Sequence, residues 1–276
     1  MKIDRVAIFC APKERVLQSV NAVEREILNF GLKIVGFHGC GNRKNSDPKK
    51  MCEVADLVIV LGGDGTILYA SRFCGDKPIL GVNFGKIGFL SDISPDHVHE
   101  ALELITEDKF WVQELRRLSA EIEYPDSEAR KLPSVLNEYL LFTSALAKMI
   151  SIEIFIDYEP ITKVRGDGLI VATPIGSSAY ALSAGGPILL PETSAYLVVP
   201  LSPLWGKFKP MVLSKENTFS VKIREDGSSA VIVGDGMEKK ELPKKCTVHF
   251  SLSDEKTRFI RFGSRYAKLS RLMLII

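Results

Sequence analysis

The chain has 276 residues, 46% hydrophobic and 25% charged, with a formal net charge of +2. That length suffices for one large domain or two smaller ones. The near balance of charge excludes a global field toward nucleic acid or membrane, and no apolar run approaches the roughly 20 residues of a membrane span.

The start, Met1 to Arg5, has an early acid and no long apolar core, so it is not expected to be a secretion signal. Val6 to Cys10 reads as a short buried strand. From about Lys13 to Phe30 the apolar positions Val16, Leu17, Val20, Val23, Ile27 and Leu28 recur at helical spacing, and Gly31 stands where a C-terminal cap belongs. Leu32 to Phe37 is a second strand, and the polar stretch from Gly39 to Lys50 is expected to be a loop. Leu57 to Leu61 reads as a fully buried strand. It enters Gly62-Gly63-Asp64-Gly65-Thr66, with a helical stretch expected from about Thr66 to Phe73. Ile79 to Val82 is another strand, and Pro95 opens a helix to about Thr106. This rhythm is that of a parallel α/β sheet, in which ligands sit at the carboxyl ends of strands.

Near Lys109 the pattern changes. Residues 118–124, 140–142, 150–158, 168–172, 195–199, 218–223, 229–233 and 247–252 read as strands. Several alternate, as in Ile150 to Ile156, which points to antiparallel sheets with one solvated face and a sandwich-like domain. The expected division is an α/β domain at 1–108, completed by about 257–276, and a β-rich domain at 109–256. The apolar tail Leu272 to Ile276 is expected to dock on a core or a partner subunit.

The glycine-rich turn after the strand at 57–61 carries the most chemistry. Glycines permit positive φ and close ligand approach. The amides of such a turn and of the following helix form a donor surface suited to phosphate. Asp64 beside bound phosphate would be a poor phosphate binder, but a fit metal partner or general base for a hydroxyl. The bland alternative is a tight turn with Asp64 as helix cap. Asn137-Glu138, Arg165-Gly166-Asp167-Gly168 and Thr173 through Tyr180 are further candidates. In the last, Pro174 ends a strand, Gly176 permits a sharp turn, Ser177 is expected to cap a helix from about Ser178 to Ala184, and Tyr180 can stack on a ring.

The five cysteines are scattered and odd in number, so reduced thiols in a cytoplasmic protein are expected rather than disulfides or structural zinc. The dinucleotide fingerprint, the Walker A loop and H-E-x-x-H are absent. His97, His99 and His249 are not taken as metal ligands, so no protein metal site is expected.

In these blocks the chain resembles the NAD kinases, which phosphorylate the 2′-hydroxyl of the adenosine ribose of NAD using ATP or polyphosphate. The matching blocks are Gly62 to Thr66, Gly81 to Leu90, Asn137-Glu138, Arg165 to Gly168, Thr173 to Tyr180 and Asp235-Gly236. Glycine-glycine-aspartate turns also occur in diacylglycerol and sphingosine kinases; the other blocks point to NAD kinase. The resemblance implies an N-terminal α/β domain, a β-rich second domain and a C-terminal tail returning to the first. It implies Asp64 as the base and Gly63, Gly65 and Thr66 as the donor-phosphate cradle. It implies NAD contacts from Phe89, Asn137, Glu138, Asp167, Ser178, Ala179, Tyr180 and Ser183. By the same resemblance Asn137 and Ser178 are expected to meet adenine, with Phe89 packing on that ring, Glu138 to meet ribose, and Asp167, Ala179 and Tyr180 to flank the nicotinamide half. Mg²⁺ held mainly through donor phosphates, and a homodimer or homotetramer, are also implied. Three positions depart from the family pattern: Ser178 for threonine, Leu204 for histidine, and Lys209 for arginine. The alternatives are a diacylglycerol- or sphingosine-type lipid kinase and a non-catalytic NAD-binding sensor.

Overall fold

The computed structural model describes residues 2–85, 88–206, 208–265 and 270. The chain divides into unit 1, Met1–Glu114 with Thr257–Ile276, and unit 2, Leu115–Lys256.

Unit 1 runs β1 (Arg5–Cys10), α1 (Glu14–Asn29), β2 (Lys33–His38), α2 (Pro48–Val54), β3 (Leu57–Leu61), α3 (Asp64–Ser71), β4 (Pro78–Val82) and α4 (Val98–Thr106). Its strands pair in parallel in the order β2, β1, β3, β4, and residues 258–259 near the chain's end add to β4. Every residue of β3 and β4 is buried, as a parallel sheet covered on both faces requires. Val16, Val20, Val23 and Ile27 of α1 and Val98, Leu102 and Ile105 of α4 share one core with Val6, Ile8, Leu57 and Ile59. Leu28 follows the helical spacing but is exposed, at the margin of that stripe.

Two expectations fail in this unit. The stretch from Gly39 to Lys50 is not all loop, because α2 begins at Pro48. Asp47 accepts the Lys50 N–H at 2.8 Å, and Pro48 occupies the first turn, where no N–H is needed. The Asp-Pro pair signalled this start, but a helix burying only Met51 and Cys52 has too little apolar period to show. The thiols are also not all reduced: Cys10 and Cys40 form a disulfide, with Cα atoms 4.9 Å apart. They lie 30 residues apart in sequence and come together because β1 and β2 are adjacent parallel strands. The tail 272–276 lies outside the described residues, as do Lys86 and Ile87.

Unit 2 contains β5 (Trp111–Glu123, from residue 115 on), β6 (Arg130–Lys131), β7 (Glu138–Thr143), β8 (Ile150–Ile156), β9 (Glu159–Gly166), β10 (Gly168–Ala172), α5 (Tyr180–Ser183), β11 (Ala195–Leu201), β12 (Met211–Ser214), β13 (Phe219–Ile223), β14 (Ala230–Gly234), β15 (Glu238–Leu242) and the first part of β16 (Thr247–Arg261). One antiparallel sheet has the order β12, β11, β10, β7, β14, β15. In the other, β16, β13, β8 and β9 are consecutive antiparallel neighbours, and β5 pairs with β16 and β6. Leu141, Leu169 and Val171 of the first sheet share a core with Ile152, Phe219, Val221 and Phe250 of the second, making a β-sandwich. The strand β9 escapes a sequence reading because Pro160 and alternating charges disguise it; it is an edge strand, where proline is tolerated.

Candidate active site

In unit 1 the buried strand β3 ends at Leu61 and the chain turns through Gly62 and Gly63 into α3. The helix begins at Asp64, two residues before the expected start. None of Gly62, Gly63 and Gly65 has positive φ, so these glycines serve space and not left-handed backbone. A Cβ on Gly62 would lie 2.5 Å from the Thr66 hydroxyl, inside the protein's own packing. A Cβ on Gly63 or Gly65 would meet nothing within 4 Å. The N–H groups at the head of α3 carry the positive end of the helix dipole; that of Thr66 donates to the Gly63 carbonyl at 2.9 Å.

Asp64 is not the helix cap. Gly63 holds the cap position, and the Asp64 carboxylate accepts from the Phe89 N–H at 2.7 Å and the Leu90 N–H at 3.2 Å. This fixes the acid against the segment after β4 and brings Phe89 to the same place. Gly88 permits that approach, since a Cβ there would fall 2.4 Å from an Asp64 oxygen. The segment is anchored from behind by Arg261, which is buried. Its guanidinium donates to the Leu90 carbonyl at 2.7 Å, to Asp92 at 2.9 Å and to Gln113 at 2.9 Å.

In unit 2 Asn137, Glu138 and the segment from Ser178 to Ser183 lie where β7 begins and β10 ends, with the end of β14 alongside; Glu138 pairs with Ala172, and Tyr139 with Gly234, whereas Asp167 lies at the other end of β10, its carbonyl accepting the Thr143 N–H at 2.9 Å. Thr173 is fully buried and clamps the entry to β7: its hydroxyl donates to the Leu136 carbonyl at 2.6 Å and its N–H to the Asn137 carbonyl at 2.9 Å. Gly176 is needed for closeness, because a Cβ there would lie 2.1 Å from the Asn137 carbonyl oxygen. Ser177 does not cap a helix. It donates to the Pro174 carbonyl and accepts the Leu189 N–H at 2.8 Å, tying down the segment after α5. The expected single helix is instead a 3₁₀ turn, Ile175–Ser178, and the short α5, broken at Ala179 (φ −95°, ψ −127°). Ser178 donates to the Ile175 carbonyl at 2.9 Å, Tyr180 and Ser183 are exposed, and Asp167 sits half-buried in the bend between β9 and β10.

Asp235 follows β14 in the left-handed region (φ 47°), and its carboxylate accepts the N–H groups of Leu136, Asn137 and Glu138. Burial and then the nearby Asp235 charge push the Glu138 carboxyl up to about 7. Burial also raises Asp235, while its three amide donors and Arg117 pull it back. The Oε2 of Glu138 is buried and has no hydrogen-bond partner among the described residues. Sequence reasoning saw Asp235-Gly236 only as a matching block; an acid-glycine turn gives no sign of which distant amides it will reach.

Among the described residues no group of three or more His, Cys, Asp and Glu side chains could hold a metal ion by itself. The histidines have local partners: His97 with Ser94, His99 with Glu26, and His249 with Ser220 and Glu123. No helix among the described residues is long and apolar enough to cross a membrane.

Two family models match the chain: the ATP-NAD kinase N-terminal domain over residues 6–110 and the ATP-NAD kinase C-terminal domain over residues 136–262. The NAD kinase of Methanothermobacter thermautotrophicus is 40% identical over 223 residues, 80% of this chain and 77% of that one. A solved NAD kinase from Archaeoglobus fulgidus in complex with ATP matches with a TM-score of 0.81 at 26% identity, covering 99% of both chains. Yeast NADH kinase matches with a TM-score of 0.87 at 21% identity, over 99% of this chain and 87% of that one, a likeness of fold. The lipid-kinase reading shared the glycine-rich turn and a β-rich second domain; the match of that second domain to the ATP-NAD kinase C-terminal model over residues 136–262 leaves it without support.

Proposed function

This chain belongs to the NAD kinase family, and from that premise we propose that it moves a phosphoryl group from ATP or polyphosphate to the 2′-hydroxyl of the adenosine ribose of NAD, making NADP. The observation that carries the residue assignment is the Asp64 carboxylate, fixed by two backbone amides at the head of α3 beside two glycines with open space above them. In this reading Gly63, Gly65 and Thr66 form the cradle for the donor phosphates. Asp64 takes the proton of the 2′-hydroxyl as that oxygen attacks the terminal phosphorus. The bond from phosphorus to the bridging oxygen breaks, and ADP or a shortened polyphosphate leaves. Alignment and charge neutralisation supply most of such a rate.

Asn137 and Ser178 contact adenine with Phe89 packing on the ring, and Glu138 contacts ribose. Asp167, Ala179 and Tyr180 line the nicotinamide half, and Ser183 is a further NAD contact. A divalent cation such as Mg²⁺ would be carried by the donor phosphates, because the described side chains offer no cluster to hold it, and when bound it neutralises phosphate charge. The chain is read as cytoplasmic and as a homodimer or homotetramer. Trp205, 79% exposed, and Val212 on the edge strand β12 are apolar residues that assembly would cover. Sedimentation as a monomer at micromolar concentration would remove the oligomer from this reading.

The test is NADP production from NAD with ATP or polyphosphate as donor, in wild type and Asp64→Asn. The variant is expected to keep its NAD affinity and lose about 10²–10⁴-fold in turnover. Wild-type turnover by the variant would remove Asp64 from the base role.

A further inference from the structure

We infer that Asp235 is a positioning residue for NAD recognition: its carboxylate fixes the backbone of Leu136, Asn137 and Glu138, and its charge faces Glu138. The inference rests on the reading of Asn137 and Glu138 as NAD contacts and adds a residue to which that reading gives no role.

Three consecutive amides converge on one side chain. The N–H groups of Leu136 and Asn137 each donate to an Asp235 oxygen at 2.8 Å, and that of Glu138 donates at 3.1 Å. Asp235 returns its own N–H to the Glu138 carbonyl at 3.0 Å. Both carboxylate oxygens are used, so a side chain with one acceptor leaves at least one of these amides poorly served. Such bonds to a charged acceptor are stronger than neutral ones. The left-handed turn through Asp235 and Gly236 (φ 47° and 70°) aims the carboxylate back at β7. A non-glycine residue is uncommon in that region and is held there by its surroundings.

Thr173 and Gly176 grip the same segment from the other side, so its backbone polar groups are met by protein. The buried Oε2 of Glu138 is left for a ligand, and a ribose hydroxyl is the chemistry that suits it. The charged groups acting here are Asp235 itself on Glu138, from the end of β14, and Arg117 of β5 on Asp235. Asp235 keeps the charge because it has three N–H donors and a nearby cation. Glu138 takes the proton, in keeping with its raised value.

The experiment uses the full chain carrying Asp235→Asn, and separately Gly236→Ala. The alanine Cβ would meet nothing within 4 Å, so it strains only the turn that aims the carboxylate. Steady-state kinetics give kcat and both KM values, and carboxyl ¹³C NMR follows the titration of Glu138 without substrate. For Asp235→Asn, KM for NAD should rise about 10-fold while kcat and the donor KM move less than about 3-fold. The Glu138 midpoint should fall from about 7 by roughly one unit once the neighbouring charge is gone. Gly236→Ala should raise KM for NAD by about 3-fold with no change in kcat. An unchanged NAD KM in both variants, an unchanged Glu138 midpoint, or a uniform loss that tracks the folded fraction would each overturn the role. If wild type makes no NADP, the functional reading fails instead, and the Glu138 titration still decides whether Asp235 faces it.

Discussion

Replacing Glu138 with glutamine tests the electrostatics of this segment through stability alone. The folded protein pushes this carboxyl from 4.5 to about 7, first by burial and then by the Asp235 charge. Between those values the unfolded chain loses the proton while the folded chain keeps it. Stability from this group is therefore full below 4.5 and is lost as pH rises toward 7, after which the loss is constant. A rise from 4.5 to about 7 corresponds to about 3 kcal/mol. Glutamine has nearly the same shape and no such proton to lose. The difference between the variants isolates the group, because every other titration cancels. Urea unfolding followed by circular dichroism at pH 4.5, 6, 7 and 8.5 is the assay. The glutamine variant should gain about 3 kcal/mol on wild type across that range, nearly all of it before pH 7.5. A flat difference, or one that grows toward acid, would refute the assignment of a buried, proton-holding Glu138.

Gly63→Ala and Gly65→Ala separate fold from ligand: open space and ordinary φ predict an unchanged or slightly higher melting temperature for Gly65→Ala inside the helix, and a small drop for Gly63→Ala at the cap position, where alanine is disfavoured. Donor KM should nonetheless rise at least about 10-fold where phosphate must approach the main chain; wild-type donor kinetics would remove both from the cradle. Arg261→Leu leaves Asp92 and the Leu90 carbonyl without their buried cation and should cost about 3 kcal/mol in urea unfolding. A loss below about 0.5 kcal/mol would mean the ion pair is dispensable. Thiol titration of the denatured protein should give three reactive groups without reductant (Cys52, Cys74 and Cys246) and five after reduction. Five in both cases would deny the Cys10–Cys40 bond.

The parallel sheet of unit 1 was legible because its strands are short apolar runs between glycines and an amphipathic helix, and burial on both faces tolerates nothing else. The sandwich was legible at its central strands, where apolar and polar positions alternate. It was not legible at β9 and β12, edge strands whose chains pair on one side and need no continuous apolar face. The glycine-rich turn could be named but not explained: its glycines seemed to offer positive φ, whereas the folded chain uses Gly62 for internal closeness and leaves Gly63 and Gly65 open.

What the residue order determined alone was local: which segments bury, where they turn, and which acid lies among glycines or beside an asparagine. Those follow from side-chain period and backbone sterics within a few residues. Tertiary structure alone decided the partners of those groups. It set Asp64 on the Phe89 and Leu90 amides, Asp235 on amides 97 to 99 residues away, and Cys10 against Cys40. A hydrogen bond or a pKa shift depends on distances of a few ångströms and on exclusion of water, and both are set only when distant strands pair.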